Sequence, residues 1–372
     1  MKKLLLLTIL ASAAILASPA EAASPLHAAK AAGALLDKPA LKYADDSYYV
    51  FEGRSRGFAI VDLDGNILGY SATSAVPSGD RDMPPAMQYL IGKSSASAHS
   101  APERSPMYAP RLLKTPSFDQ VKPFNNDIAN NYLVGCTGVA MATVMKYYNW
   151  PPKGRDVVEY GEFRFDYANT TFDWDNILDS YSGSYTAPQA KAVSELCYAA
   201  AVSVRTDFGT WSSGAYSSKI CEGLLQNFYY SPGMYIYPAS GMTPAKWEAA
   251  LRAEIDAGRP VIYCGTSQDD SFSYFDSAIG HAFVVDGYDD KGLFHINWGW
   301  GGRYDGYFAL TALSPDANSD FSKDAQAVFG IEPDRDMKDR DRVVVFLSEY
   351  WPQHLDGMTS DVPQVTVRHG AN

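Results

Sequence analysis

The chain has four cysteines in 372 residues, Cys136, Cys197, Cys221 and Cys264, with no C-x-x-C among them. That excludes a small disulfide framework and a thioredoxin-type redox motif, so an exported form has to rely on its hydrophobic core. Histidine is also scarce: none of His27, His99, His281, His295, His354 and His369 stands at finger or helical spacing from another histidine or a cysteine. A zinc site is therefore not expected. The G-x-S-x-G elbow of serine hydrolases and a glycine-rich phosphate cradle are both missing, and no cofactor is implied. Positive charge is in deficit, with a net charge of −12 and a pI near 4.9. Such a balance disfavours nucleic acid and anionic membranes as partners.

Long apolar runs are missing too, except for Leu4 to Ala17, which follows Met1-Lys2-Lys3 and precedes Ser18-Pro19-Ala20-Glu21-Ala22. A charged start, a short apolar core and a small-x-small site read as an export signal over residues 1–22, cleaved after Ala22. The run is short for a spanning helix and has no stop-transfer flank, so no membrane insertion is expected and the product is secreted or periplasmic. The remainder, in a chain that is 46% hydrophobic, is long enough for about two domains.

Ala29 to Leu36 is weakly helical. Tyr48 to Phe51, Gly57 to Val61 and Ile67 to Tyr70 read as strands of a small antiparallel sheet, with Asp62 to Asn66 as a turn. Composition then shifts to Ser, Ala, His and Pro between Gly92 and Pro106, which marks an exposed linker. The expected organisation is an N-terminal domain over 23–93, a linker over 94–112, a second domain over 113–332 and an extension over 333–372. In the second domain Met141, Val144, Met145 and Tyr148 recur at helical spacing after Cys136, and Asn149-Trp150-Pro151-Pro152 ends that helix. Ala187 to Val202 and Pro244 to Ala257 also read as helices. Val261 to Cys264, Ala282 to Tyr288, Leu293 to Trp298 and Tyr307 to Leu310 read as strands. Helices precede the sheet, so the class is α+β.

With other chemistries excluded, a thiol is the remaining nucleophile. Cys136 opens a helix, where the partial positive charge and free N–H groups favour thiolate and its pKa should fall. The other three cysteines sit inside apolar patterns and read as core. A general base needs its second ring nitrogen oriented by an amide or carboxylate. His281 begins one strand and Asn297 ends the next, but a plain turn over Asp289 to Gly292 puts Asn297 opposite Val284, with the wrong parity to meet His281. One bulged residue at Gly292 would put Asn297 opposite Val285 and on the face of His281. His295 shares that face and is the competing base. The Gly299 to Gly302 run reads either as a tight turn with a core aromatic or as a ring that shields the His-Asn bond from water.

Gly135-Cys136 to Tyr148, Gly280-His281-Ala282-Phe283-Val284-Val285-Asp286-Gly287, His295-Ile296-Asn297-Trp298-Gly299-Trp300-Gly301-Gly302 and Asp305-Gly306-Tyr307-Phe308 together resemble the streptopain family of papain-like cysteine peptidases, over about Lys114 to Ile331. The resemblance implies a two-subdomain catalytic domain, with a helical half and an antiparallel sheet half. It implies Cys136 as nucleophile, His281 as base, Asn297 as orienting residue and Trp298 packed over the pair. By the same resemblance Gln120 and the Cys136 N–H form the oxyanion hole, and Ser213 and Gly280 contact substrate backbone. Strands 49–71 and Met83 to Met87 resemble that family's propeptide, which implies a zymogen blocked by its own N-terminal domain until the linker is cut.

The implied product is a secreted endopeptidase acting on proteins or peptides. The same Cys-His-Asn site also fits an amidase or acyltransferase, and a silent binding or inhibitor protein would keep the fold without the site. Three departures stand out. Phe118-Asp119 precedes the glutamine, where a carboxylate facing the oxyanion would hinder. The loop Pro315 to Ala325 lacks the glycines of a mobile flap. The forty or so residues after Ile331, with a strand-like Val343 to Leu347, have no counterpart in the family core.

Overall fold

A computed structural model describes residues 25–44, 48–76, 108–267, 279–311, 313 and 322–337. The export signal, Met83 to Met87, most of the linker, His99, most of Pro315 to Ala325 and Val343 to Leu347 lie outside the described residues.

The N-terminal unit is a helix, α1 (Pro25–Ala32), on a meander of β1 (Ala40–Ala44), β2 (Tyr48–Glu52), β3 (Phe58–Asp62) and β4 (Ile67–Ser71). Successive strands pair antiparallel. Ala28 and Ala32 of α1 close a small core over Phe51, Ala59 and Val61. The helix begins four residues earlier than its periodicity suggests, and β1 is unforeseen because its whole length is exposed and carries no alternation.

The second unit begins with β5 (Arg111–Leu112) and α2 (Cys136–Tyr148). A hairpin of β6 (Val157–Tyr160) and β7 (Phe163–Asp166) follows, then α3 (Ala187–Ser203), α4 (Lys219–Phe228), β8 (Tyr235–Pro238) and α5 (Pro244–Asp256). It ends with β9 (Val261–Ser267), β10 (Ile279–Tyr288), β11 (Phe294–Asn297), β12 (Gly306–Phe308) and β13 (Lys323–Phe329). Both units share one sheet in the order β1-β2-β3-β4-β12-β11-β10-β9-β13-β8, and β5 pairs with β10. The joint is β4 against β12, with Tyr70 opposite Tyr307 and Gly69 opposite Phe308.

Helix α2 is buried on more than the one stripe that its spacing suggests: every residue from Thr137 to Met145 is buried. It lies between α3 and the β9–β10 face of the sheet, so its Val139, Met141, Val144 and Met145 meet Leu196 and Ala200 on one side and Ile262, Ala282 and Val284 on the other. Each such side chain contributes about 1.5–3 kcal/mol of burial, which makes this helix the mechanical centre of the domain. It ends at Asn149, in left-handed conformation, whose N–H returns to the Lys146 carbonyl. The opposite face of the sheet forms a second core, where Phe283, Val285, Ile296, Trp298 and Phe308 pack with Val50, Phe58 and Leu68 of the N-terminal unit.

Two expected boundaries shift. The end of the segment assigned to the linker is fastened to the second unit: Leu112 pairs with Gly287, Arg111 pairs with Tyr288, and the Arg252 guanidinium covers the Tyr108 ring at 4.2 Å. Residues 333–337, assigned to the extension, are fastened to the helical half. Pro333 bridges to Tyr230, and the Asp334 N–H donates to the Tyr229 carbonyl at 2.8 Å. Strand β13 likewise takes up the end of the Pro315 to Ala325 loop.

Candidate active site

Cys136 is the first residue of α2 and no side chain caps that end, so the helix presents unspent N–H groups beside the thiol. The turn before it needs a glycine. Gly135 has φ +89, and a Cβ there would come within 3.0 Å of the Ser213 carbonyl oxygen. Cys136 keeps partial exposure, yet burial dominates and pushes the thiol above its ordinary value. The Ala282 N–H and Thr137 oppose this by hydrogen-bonding the sulfur. The helix terminus alone therefore does not lower the pKa as expected, because burial outweighs it. The other three cysteines are free. Burial raises all three, in keeping with a core role.

His281 lies on β10 next to the Ala282 whose N–H meets the sulfur, but its ring turns to the opposite face of the sheet. It stacks on Trp300 with centroids 4.7 Å apart and more distantly on Trp298 at 6.3 Å. Trp300 of the glycine run is thus the nearer cover, and Trp298, fully buried, lies behind it. His281 Nε2 sits 2.9 Å from the Trp298 carbonyl oxygen. A carbonyl only accepts, so Nε2 carries the proton and Nδ1 is left as the basic nitrogen. Burial lowers the His281 pKa to about 4, against the Trp298 hydrogen bond. Thiol and imidazole are both neutral in this arrangement.

The register between β10 and β11 corrects the sequence expectation. The extra residue foreseen at the turn is present, since Tyr288 pairs with Phe294, but a second irregularity between Val285 and Gly287 cancels it and leaves Asn297 opposite Val284. The cause is Asp286. Its carbonyl accepts the Leu113 N–H of the β5 edge at 2.7 Å, and its carboxyl is drawn to His295 and Thr115, so it bulges from the ladder. Asn297 therefore faces the helical half and His281 faces the aromatic core. The Asn297 amide donates to Thr115 Oγ1 at 3.0 Å and to the Pro116 carbonyl at 2.9 Å, and its Oδ1 accepts the Gly299 N–H at 3.1 Å; none of these bonds reaches His281. His295, the competing base, is engaged by Asp286 at 2.5 Å. Burial opposes its charge, but Asp286 and Asp305 outweigh that and raise its pKa.

Gln120 is buried on a loop clipped to the start of α2: its carbonyl accepts the Val134 N–H at 3.1 Å. Its side-chain amide has no hydrogen-bond partner among the described residues, so a donor is unspent. Asp119, which could have opposed an oxyanion, is turned elsewhere. One oxygen accepts the Gln120 N–H at 2.7 Å, and the other meets Arg303 Nη2 at 3.2 Å. With the Gly301 N–H on the Phe118 carbonyl at 2.7 Å, these bonds tie the glutamine loop to the glycine run. The Ser213 hydroxyl is spent on Gly209 of its own loop, which leaves its backbone, packed on Gly135, for any contact with a ligand. Gly280 is exposed beside His281. Asp286 and Asp305 lie within the motif segments and Thr115 beside one, but nothing in the sequence assigned any of the three a part in the site.

A helical half bearing a cysteine at a helix terminus, an antiparallel half bearing a histidine, and a small α+β unit in front define the papain-like architecture with an N-terminal prodomain. The chain belongs to the Peptidase C10 family, whose model matches residues 118–308. It is 34% identical over 243 residues to streptopain of Streptococcus pyogenes, an alignment covering 60% of this chain and 59% of that protein. It is 30% identical over 234 residues to the thiol protease/hemagglutinin PrtT of Porphyromonas gingivalis, covering 58% of this chain and 26% of the other. The chain thus spans about 59% of the length of the streptopains it matches. Among solved structures, prointerpain A of Prevotella intermedia superposes with a TM-score of 0.61 at 28% identity, covering 78% of this chain and 98% of that one. Active interpain A superposes with a TM-score of 0.56 at 32% identity, covering 62% and 98%.

Proposed function

We propose that this chain is the precursor of an exported cysteine endopeptidase that acts on proteins or peptides, with its N-terminal unit as an intramolecular inhibitor. The observation that carries this reading is the juxtaposition of an uncapped helix end bearing Cys136 with the strand bearing His281, in a member of the Peptidase C10 family. In the active form His281 Nδ1 takes the thiol proton, and Cys136 Sγ attacks the carbonyl carbon of the scissile peptide. The oxyanion is received by the Gln120 amide and the Cys136 N–H. The imidazolium gives its proton to the departing amine, leaving a thioester. His281 then deprotonates a water that attacks the thioester, and the thiol is regenerated. Trp298 and Trp300 shield the histidine; Asn297 acts on it through the turn that carries Trp298. Ser213 and Gly280 flank the bound peptide.

Inhibition follows from the same geometry, because a neutral thiol and an imidazole stacked on the far face form no ion pair. The N-terminal unit is attached where that face is built: β4 pairs with β12, Ser71 Oγ donates to the Asp305 carbonyl at 2.7 Å, and Phe58 packs on Phe308. Casein hydrolysis by the aged full-length protein, with and without a thiol-reactive epoxide, tests the reading. The expected result is epoxide-sensitive hydrolysis and a product whose new N-terminus falls after Leu90 and before Tyr108, since Tyr108 packs on Arg252 and Arg111 and Leu112 pair with β10. Epoxide-resistant hydrolysis, or a new N-terminus within 48–71, contradicts it.

A further inference from the structure

Beneath the turn that carries Trp298, four side chains outside the Cys136–His281 pair form one directed hydrogen-bond chain. Asp286 receives His295 Nδ1 on one oxygen and the Thr115 hydroxyl on the other, each at 2.5 Å. Thr115 has a single proton and spends it on Asp286, so its oxygen accepts from Asn297 Nδ2 at 3.0 Å. That choice fixes which way the Asn297 amide points. Its nitrogen faces Thr115 and the Pro116 carbonyl, and its oxygen takes the Gly299 N–H at 3.1 Å. The Gly299 N–H and the Trp298 carbonyl belong to the same planar peptide, and that carbonyl receives the His281 Nε2 proton. Gly299, at φ +75, makes the turn possible but leaves the plane of the peptide to be held by its neighbours.

We propose that Asp286, anchored by His295 and acting through Thr115, is a positioning residue for the reaction: it sets the Asn297 amide, which holds the Trp298–Gly299 peptide in the plane that orients His281. The β10 bulge at Asp286 is then part of the device, since a regular ladder would give Asp286 the facing of an ordinary strand residue. The chain is buried at both Asp286 and Asn297, where such bonds are strong and an unmade one is costly. It orders a group that orders the base and touches no substrate, so its removal lowers turnover more than binding.

The inference rests on the peptidase reading, and the test separates the two. If the matured wild type shows no thiol-dependent peptide hydrolysis, both fall. With that activity present, Thr115→Val is expected to lower kcat about tenfold to a hundredfold with KM within about twofold. Thr115→Ser, which restores the hydroxyl, should recover the rate to within about twofold. Asp286→Asn should lower kcat in the same direction and serves as the second arm if Thr115→Val does not fold. In the Asn297→Ala background Thr115→Val should cost less than about twofold further, because the two act as one unit. Unchanged kcat in folded Thr115→Val or Asp286→Asn, or a Thr115→Val loss as large without Asn297 as with it, overturns the positioning role. Asn297→Ala with the wild-type kcat removes the link to His281 and overturns it too.

Discussion

The two halves of the site are built by different means. Cys136 is placed by backbone: a positive-φ glycine pressed on Ser213, a helix buried nearly all round, and a glutamine loop clipped to Val134. His281 is aimed by contacts of its ring, which stacks on Trp300 and hydrogen-bonds the Trp298 carbonyl. Backbone placement is costly to alter, whereas a side chain is turned about its χ angles once the contacts that hold it are loosened. On the proposed reading, maturation therefore leaves the nucleophile where it stands and turns Nδ1 of the base towards it, with the Nε2 bond to the Trp298 carbonyl kept as the pivot. Among the described residues the N-terminal strands add to the aromatic face, so on this reading inhibition acts on the movable half.

Five substitutions probe that contrast, starting from the largest expected effect. Cys136→Ala deletes the fixed half and should abolish peptide hydrolysis, leaving an intact precursor on a gel; losses at such sites reach the order of a millionfold. His281→Ala should match it and His295→Ala should not; residual Cys136→Ala activity above about one per cent breaks the assignment. Gln120→Ala should lower kcat about a hundredfold to a thousandfold with little change in KM, because its unspent amide serves a charge that develops late. Asp119→Asn should lower kcat by less than about tenfold. A rise would mean that the carboxylate faces the oxyanion and not Arg303.

The smallest effect is on stability against pH. His281 has its pKa lowered from 6.5 to about 4, so the unfolded chain binds more protons between those values and the precursor loses stability as pH falls through that window. Asp305 has the opposite sign. Burial raises it from 3.8 to about 7, with His295 and the Trp298 N–H opposing, so stability is lost as pH rises towards 7. Melting curves of a Cys136→Ala precursor should show His281→Gln flattening the acid-side loss, and Asp305→Asn flattening the opposing slope, each by about a few degrees. Two changes of the same sign would contradict the burial described for these groups.

Much of the fold was legible because its elements obey strong periodicities. Helix α2, α3 and α5, and strands β2 to β4 and β9 to β12, lie within a few residues of their expected places, since capping residues and apolar repeats mark them. Strand β1 is exposed throughout, and β13 follows a glycine-free loop, so neither carries a pattern. Gln120 entered through the resemblance, and the segments that carry Cys136 and His281 were legible as motifs. The facing of Asn297 was not, because a bulge at Asp286 is decided by tertiary bonds to Thr115 and His295 that lie far apart in sequence. Nor was the neutrality of Cys136 legible: a helix terminus argues for thiolate, and only packing reveals the burial that overrides it.

The central claim is that the nucleophile is in place but inactive until the base is re-aimed. The most direct test is the pH dependence of Cys136 alkylation by iodoacetamide, followed by mass spectrometry in freshly purified precursor and again after maturation. In the precursor, alkylation should be slow at neutral pH and rise only near or above the ordinary thiol value of 9.0. After maturation it should persist well below neutrality, as in a thiolate–imidazolium pair. A precursor already alkylated rapidly at pH 6, with the same profile before and after maturation, would contradict the account.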